Sequence, residues 1–267
     1  MERSAVRFVA ALAAALSAAP AVASPTACHA VSGRQTVALV ELYTSEGCDS
    51  CPPADRWLSA TFGPGGLGSG AVAVAFHVDY WDRLGWKDRF ATAAWTKRQY
   101  DSARAARSDL VYTPQVLVQG RDFGDWRNGS RSSAAIAALA RVPSRADITL
   151  DATPEPGRIA VKASAHVGAS ADRKGARVFV ALTEDGLASE VKAGENAGKR
   201  LVHDHVVRAL REVAVDDAGN AAGAVTLPLA TEAGTAATVV AFVQNVDTGV
   251  VLQALSLPLG PDCAPAR

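Results

Sequence analysis

The stretch Glu41-Leu42-Tyr43-Thr44-Ser45-Glu46-Gly47-Cys48-Asp49-Ser50-Cys51-Pro52-Pro53 decides how this chain is read. Residues 37–43 are an apolar, β-forming run that ends in a turn, the signature of a buried strand. Residues 54–61 read as a short helix. Pro52 and Pro53 fall in its first turn, where a missing backbone N–H costs little. Cys48 and Cys51 thus stand where a strand gives way to a helix, and the unpaired N–H groups and dipole of a helix N-terminus stabilise a thiolate. A bare pair at this spacing is also half of a zinc site, so the placement carries more of the signal than the spacing does.

Outward from that stretch, the chain opens with the pattern of a secretory signal. Arg3 and Arg7 are basic, residues 8–22 are apolar and rich in alanine, and Ala21-Val22-Ala23 is a small-residue cleavage site. Cleavage after residue 23 takes the basic count from 27 to 25 and the acidic count from 27 to 26, a formal charge of −1. That balance argues against nucleic acid or an anionic membrane as partner. No later run has the length and freedom from charge of a membrane span. The expected protein is periplasmic or secreted. Export makes disulfides available to all four cysteines, Cys28, Cys48, Cys51 and Cys263. Cys48 and Cys51 are placed to pair locally. Cys28 and Cys263 are then a second candidate pair, a structural staple between the ends, unless each is a free or intermolecular thiol.

The pattern of elements divides the chain in two. Strand-like runs at 71–78 and 115–119, a short one at 122–126, and helix-like runs at 88–107 and 130–140 follow the first strand and helix. A glycine-rich loop at 63–70 lacks the ending of a phosphate loop. Strand–helix–strand units favour parallel pairing with helices on the faces. Beyond Val142-Pro143-Ser144 the texture changes to strands and turns, at 148–152, 158–167, 177–183, 202–215, 222–229, 238–246 and 250–257. Asn245-Val246-Asp247-Thr248-Gly249 is a hairpin turn. The expectation is an α/β domain over 24–143 and an all-β, sandwich-like domain over 144–267.

Tyr112-Thr113-Pro114 stands directly before the third strand. With the element order and Cys48-Asp49-Ser50-Cys51, it gives residues 36–141 a pattern that resembles the thioredoxin superfamily. Glu41 to Asp55, His77-Val78-Asp79-Tyr80-Trp81-Asp82 and Tyr112-Thr113-Pro114-Gln115 together resemble, more narrowly, a family of exported bacterial thioredoxin-like proteins of unknown function. The resemblance implies a cis Pro114 packed beside the dithiol, with the Thr113 backbone open to a bound chain. It also implies Cys48 as attacking thiol, Cys51 as resolving thiol and Glu41 as a buried acid that relays a proton. Asp79 and Trp81 belong to a loop that would line the binding groove. Two features depart from the usual site. Glu46-Gly47 replaces the tryptophan before Cys48, and Asp49 between the cysteines disfavours a thiolate.

The expected function is therefore thiol–disulfide exchange on protein thiols or disulfides, with no cofactor, no bound metal and no membrane insertion. Two alternatives stand beside it. One is a copper carrier using Cys48, Cys51 and His77; such carriers space their cysteines one residue wider, and Met1 is the sole methionine here. The other is a non-catalytic binding module with a structural disulfide. His203 and His205, which alternate along an expected strand, give a weaker zinc reading.

Overall fold

The computed structural model describes residues 28–63, 70–229, 236–260 and 263. The expected signal peptide and residues 64–69 of the glycine-rich loop lie outside them. The elements in chain order are β1 (Cys28–Val31), β2 (Ala38–Thr44), α1 (Pro52–Phe62), β3 (Ala71–His77), α2 (Ala93–Ala105), β4 (Gln115–Val118), β5 (Arg121–Asp122), α3 (Gly129–Leu139), β6 (Ala146–Glu155), β7 (Arg158–Val167), α4 (Ser170–Arg173), β8 (Ala176–Asp185), β9 (Leu187–Glu190), β10 (Arg200–His203), β11 (Val206–Ala214), β12 (Asn220–Pro228), β13 (Ala236–Asn245) and β14 (Val251–Pro258).

One eight-stranded sheet, in the order β14-β13-β8-β11-β3-β2-β4-β5, organises the molecule. β2 and β3 are parallel, as expected from the helix between them. β11 then joins β3 in parallel, with Val206 opposite Ala75 and the Ala75 N–H donating to the His205 carbonyl at 2.8 Å. The remaining pairs are antiparallel. A four-stranded antiparallel sheet, β1-β6-β7-β12, covers the part of this sheet built from the C-terminal half. β9 and β10 form a separate two-stranded hairpin.

This architecture corrects the expected fold class. The protein is mostly β, with several sheets, and is not an α/β thioredoxin-like domain followed by a separate β-sandwich. The change of texture near residue 143 marks a change of local pattern but not a break between cores. β11 meets the free edge of β3 near its C-terminal end, and the sheet continues across that junction.

Alternation along the strands shows why the parts cohere. On β8, Val178, Val180 and Leu182 face the four-stranded sheet, while Phe179 and Ala181 join a second cluster with Phe242, Phe76, Trp95, Leu39 and Tyr43. That second cluster therefore takes residues from both halves of the chain. A third, on the opposite face of β2 and β3, packs Val40, Leu42 and Ala73 against Ala54, Leu58 and Phe62 of α1. Cys28 is bonded to Cys263, which ties β1 to the C-terminal segment, and Cys48 is bonded to Cys51.

Some expected boundaries move for local reasons. α2 starts at Ala93 because Thr92 caps it, its side chain accepting from the Ala94 N–H, while Asp88 holds the preceding loop by accepting from the Glu46 and Phe90 N–H groups. The run at 122–126 is a strand only to Asp122, then a 3-10 turn. The run at 202–215 breaks at His205, whose φ is +59°, so β10 and β11 belong to different sheets.

Phe242, fully buried and stacked on Phe179 at 5.1 Å, tests the shared core. Phe242→Ala should cost about 3–5 kcal/mol and shift a single cooperative unfolding transition followed by two probes, one in each half. Two separate transitions, with only the later-half probe shifted, would contradict a common core.

Candidate functional site

The CxxC segment turns tightly out of β2 into α1. The Cys48 N–H donates to the Ser45 carbonyl at 3.2 Å, and the Cys51 N–H donates to the Cys48 carbonyl at 3.2 Å. Cys51 is the helix N-cap, its carbonyl accepting from Ala54 and Asp55, with Pro52 and Pro53 next in the chain. It is thus Cys51, rather than Cys48, that begins the helix. Both cysteines are 0% exposed, while Asp49 and Ser50 between them are exposed.

Several residues expected at the site are brought together. A Cβ on Gly47 would meet the Trp81 Cβ at 3.1 Å, so the position before Cys48 is filled by Trp81 reaching in from another loop. The Trp81 indole N–H donates to the Thr113 hydroxyl at 2.7 Å. The Thr113–Pro114 peptide is cis, and Pro114 is buried. Asp79 anchors this loop to α2: its N–H donates to the Thr96 hydroxyl, which in turn donates to its carboxylate at 2.5 Å.

Glu41 lies elsewhere. Its side chain projects from the β2 face opposite α1, into an ion pair with Arg98 of α2 at 2.5 Å. The Arg98 guanidinium is framed by Phe76, Phe179 and Phe242, each about 5.1 Å away, and also donates to Gln244. The lone charge in an apolar strand is thus accounted for by a buried pair inside the shared core.

A second buried group of charges lies on the dithiol side. Asp55 is on α1 four residues after Cys51, hence on the same helix face. Glu46, Asp55, His77, Asp88 and His203 are all nine-tenths or more buried. His77 Nδ1 and Asp88 Oδ2 are 2.6 Å apart. His203 Nε2 is 3.3 Å from Glu46 Oε1, and its Nδ1 is 3.8 Å from Asp55 Oδ2. The two imidazoles meet edge to face at 4.8 Å, and Trp86 donates to Glu46 at 2.7 Å. Glu46, Asp55 and Asp88 carry no sequence signal beyond the helical spacing of Asp55 from Cys51. His203 reaches the cluster because the β9–β10 hairpin folds over it. His205 is apart, packed against Asp185, and burial lowers its pKa.

Burial and pairing compete within this cluster. Burial raises the pKa of Asp55 and outweighs the offsetting pull of His203 and His77. Burial would also raise Asp88, but His77 and two backbone N–H donors hold it at about 2. For His77 burial favours the neutral form, yet the Asp88 carboxylate prevails and raises its pKa. For Glu46 the hydrogen-bonding neighbours, His203 first, outweigh burial and lower it. Among the described residues no group of three or more His, Cys, Asp or Glu side chains is arranged to hold a metal ion. Nor is any helix among them long and apolar enough to cross a membrane.

The pair His77–Asp88 has a defined pH signature. A raised His77 contributes stability fully present below its ordinary pKa of about 6.5 and lost as pH rises through the folded value. A depressed Asp88 contributes stability present above about 3.9 and lost as pH falls toward 2. Unfolding free energy measured from pH 4 down to 2 should fall by ~2 kcal/mol more in the native chain than in Asp88→Asn. Parallel profiles would show that the pair contributes nothing.

Two solved structures are similar over most of the chain. A crystal structure of protein AGR_C_4864 from Agrobacterium tumefaciens is 26% identical, with 86% of this chain and 97% of that one covered and a TM-score of 0.60. HBP35 of Porphyromonas gingivalis is 13% identical, with 84% and 75% covered and a TM-score of 0.59, a likeness of fold alone. No curated protein matches the sequence. Residues 39–244 match the model of the family described as protein of unknown function (DUF1223), and the chain belongs to that family.

Proposed function

We propose that this chain is an exported thiol–disulfide oxidoreductase that acts on protein thiols or disulfides through Cys48 and Cys51. The observation that carries this reading is the Cys48–Cys51 disulfide at the N-terminus of α1, with the carboxyl of Asp55 one helical turn beyond it. The reading also draws on the sequence resemblance of Cys48–Cys51 and Thr113–Pro114 to the thioredoxin superfamily, with Trp81 joining the CxxC turn to Thr113, although the whole fold is not of that class.

In the exchange, a partner thiolate attacks Cys48 Sγ and forms an intermolecular disulfide. The Cys48–Cys51 bond breaks, and its electron pair leaves on Cys51 Sγ. A proton then goes to that thiolate, and the buried Asp55 carboxyl, its pKa raised, is a group able to hold one nearby. A second partner thiolate resolves the mixed disulfide, leaving the partner oxidised and the Cys48–Cys51 pair reduced by two electrons. The reverse sequence oxidises the pair.

One observation favours a second reading, a binding module with a structural disulfide: neither cysteine has any exposed surface. A trapping experiment separates the two. Cys51→Ser, incubated with an unfolded protein disulfide, should accumulate a mixed disulfide through Cys48, detected on non-reducing gels and by mass spectrometry. Cys48→Ser should accumulate far less. Equal, negligible adducts from both variants would favour the binding module.

A further inference from the structure

A second segment of the chain holds the CxxC turn. Residues 191–199, the loop of the β9–β10 hairpin, lie against the CxxC turn. Asn196, itself 0% exposed, donates from its side-chain amide to the Glu46 carbonyl at 2.8 Å and to the Cys48 carbonyl at 2.9 Å. Its amide oxygen accepts from Lys199 Nζ at 2.8 Å. Glu195 adds a carboxylate oxygen 3.1 Å from the Asp49 N–H. The turn is therefore held from both sides of Cys48.

The loop is a compact body with a narrow neck. The Val191 N–H donates to the Lys199 carbonyl at 2.9 Å, and the Gly198 N–H donates to the Val191 carbonyl at 2.8 Å. Gly194 and Gly198 have φ of +72° and +81°, a region costly for other residues. A Cβ on Gly194 would meet the Trp86 Cβ at 3.2 Å, so the loop is seated closely on the 82–89 segment as well. Arg89 clamps the hairpin itself by donating to the Ala188 carbonyl and the Ser189 hydroxyl. The side chains of Asn196 and Glu195 bind backbone groups of the CxxC turn.

We propose that residues 191–199 are a gate over the Cys48–Cys51 disulfide, latched by Asn196, and that a thiol reaches Cys48 only when the latch releases. The proposal rests on the oxidoreductase reading for its biological meaning. It assigns Asn196 and Glu195 as residues that decide which thiols gain entry. The closed loop protects the disulfide from small thiols, and a protein partner able to bind Glu195, Asn196 or the Asp49 N–H opens it.

The test is the rate at which excess dithiothreitol reduces Cys48–Cys51 in the full chain, with acid quench, alkylation and peptide mapping to separate this bond from Cys28–Cys263. In this step the dithiol's first thiolate bonds to Cys48 Sγ and expels Cys51. Its second then closes the dithiothreitol ring and releases Cys48. Asn196→Ala should raise the rate on the order of tenfold or more, and Glu195→Ala, at an exposed position, by a smaller factor. The equilibrium constant with glutathione should stay within about threefold for both, since the latch side chains bond to backbone groups of the turn that are present in either redox state. Rates equal to the native chain in both folded variants would overturn the gate. If Asn196→Ala does not fold, Glu195→Ala decides alone. The glutathione equilibrium of the native chain judges the oxidoreductase reading separately, so failure of one leaves the other readable.

Discussion

The parallel union of β11 with β3 is the constraint on which the rest of the structure depends. It joins the two strands where Val206 meets Ala75, and it merges strands from both halves into one sheet. It also sets the path of the chain just before β11. The β9–β10 hairpin that precedes it must project past the C-terminal ends of β2 and β3, and those ends are where the CxxC turn and His77 lie. The cover over the disulfide and the delivery of His203 into the charged cluster follow from that single junction.

The two buried charge groups have different consequences. Arg98 and Glu41 sit inside the shared core, where each is compensated by the other and the guanidinium lies against three aromatic rings. Their place in the structure is between sheet and α2, on the face away from α1. Glu46, Asp55, His77, Asp88 and His203 form the second group, directly behind the CxxC turn. Three carboxyls and two imidazoles in a low-dielectric space cannot all be charged independently. Burial raises the Asp55 pKa while the His77–Asp88 pair holds Asp88 low, so the cluster divides its charge unevenly.

Local features were legible in the sequence and long-range ones were not. Apolar runs with β-formers identified β2, β3 and β8, and the prolines after Cys51 located the start of α1. The cis Thr113–Pro114 peptide was anticipated only through the family resemblance, and the Cys48–Cys51 pair from its spacing. The fold class was not, because the pairing of Val206 with Ala75 spans a long separation and leaves no local mark. Glu41 looked like a site residue since its partner Arg98 is on another element, and its ion pair appears only when α2 packs on β2. Asn196 sits in a polar loop of ordinary composition, and its role comes wholly from where the hairpin lands. Asp55 could have been found by taking the helical spacing from Cys51 seriously.

Whether Cys48–Cys51 is an exchangeable disulfide is decided by its equilibrium reduction potential. It is measured in the full chain against a glutathione and dithiothreitol series, with the pair read by peptide mapping. An exchange catalyst should give a value of roughly −270 to −120 mV. A value well below about −300 mV would mark a structural bond and contradict the oxidoreductase reading.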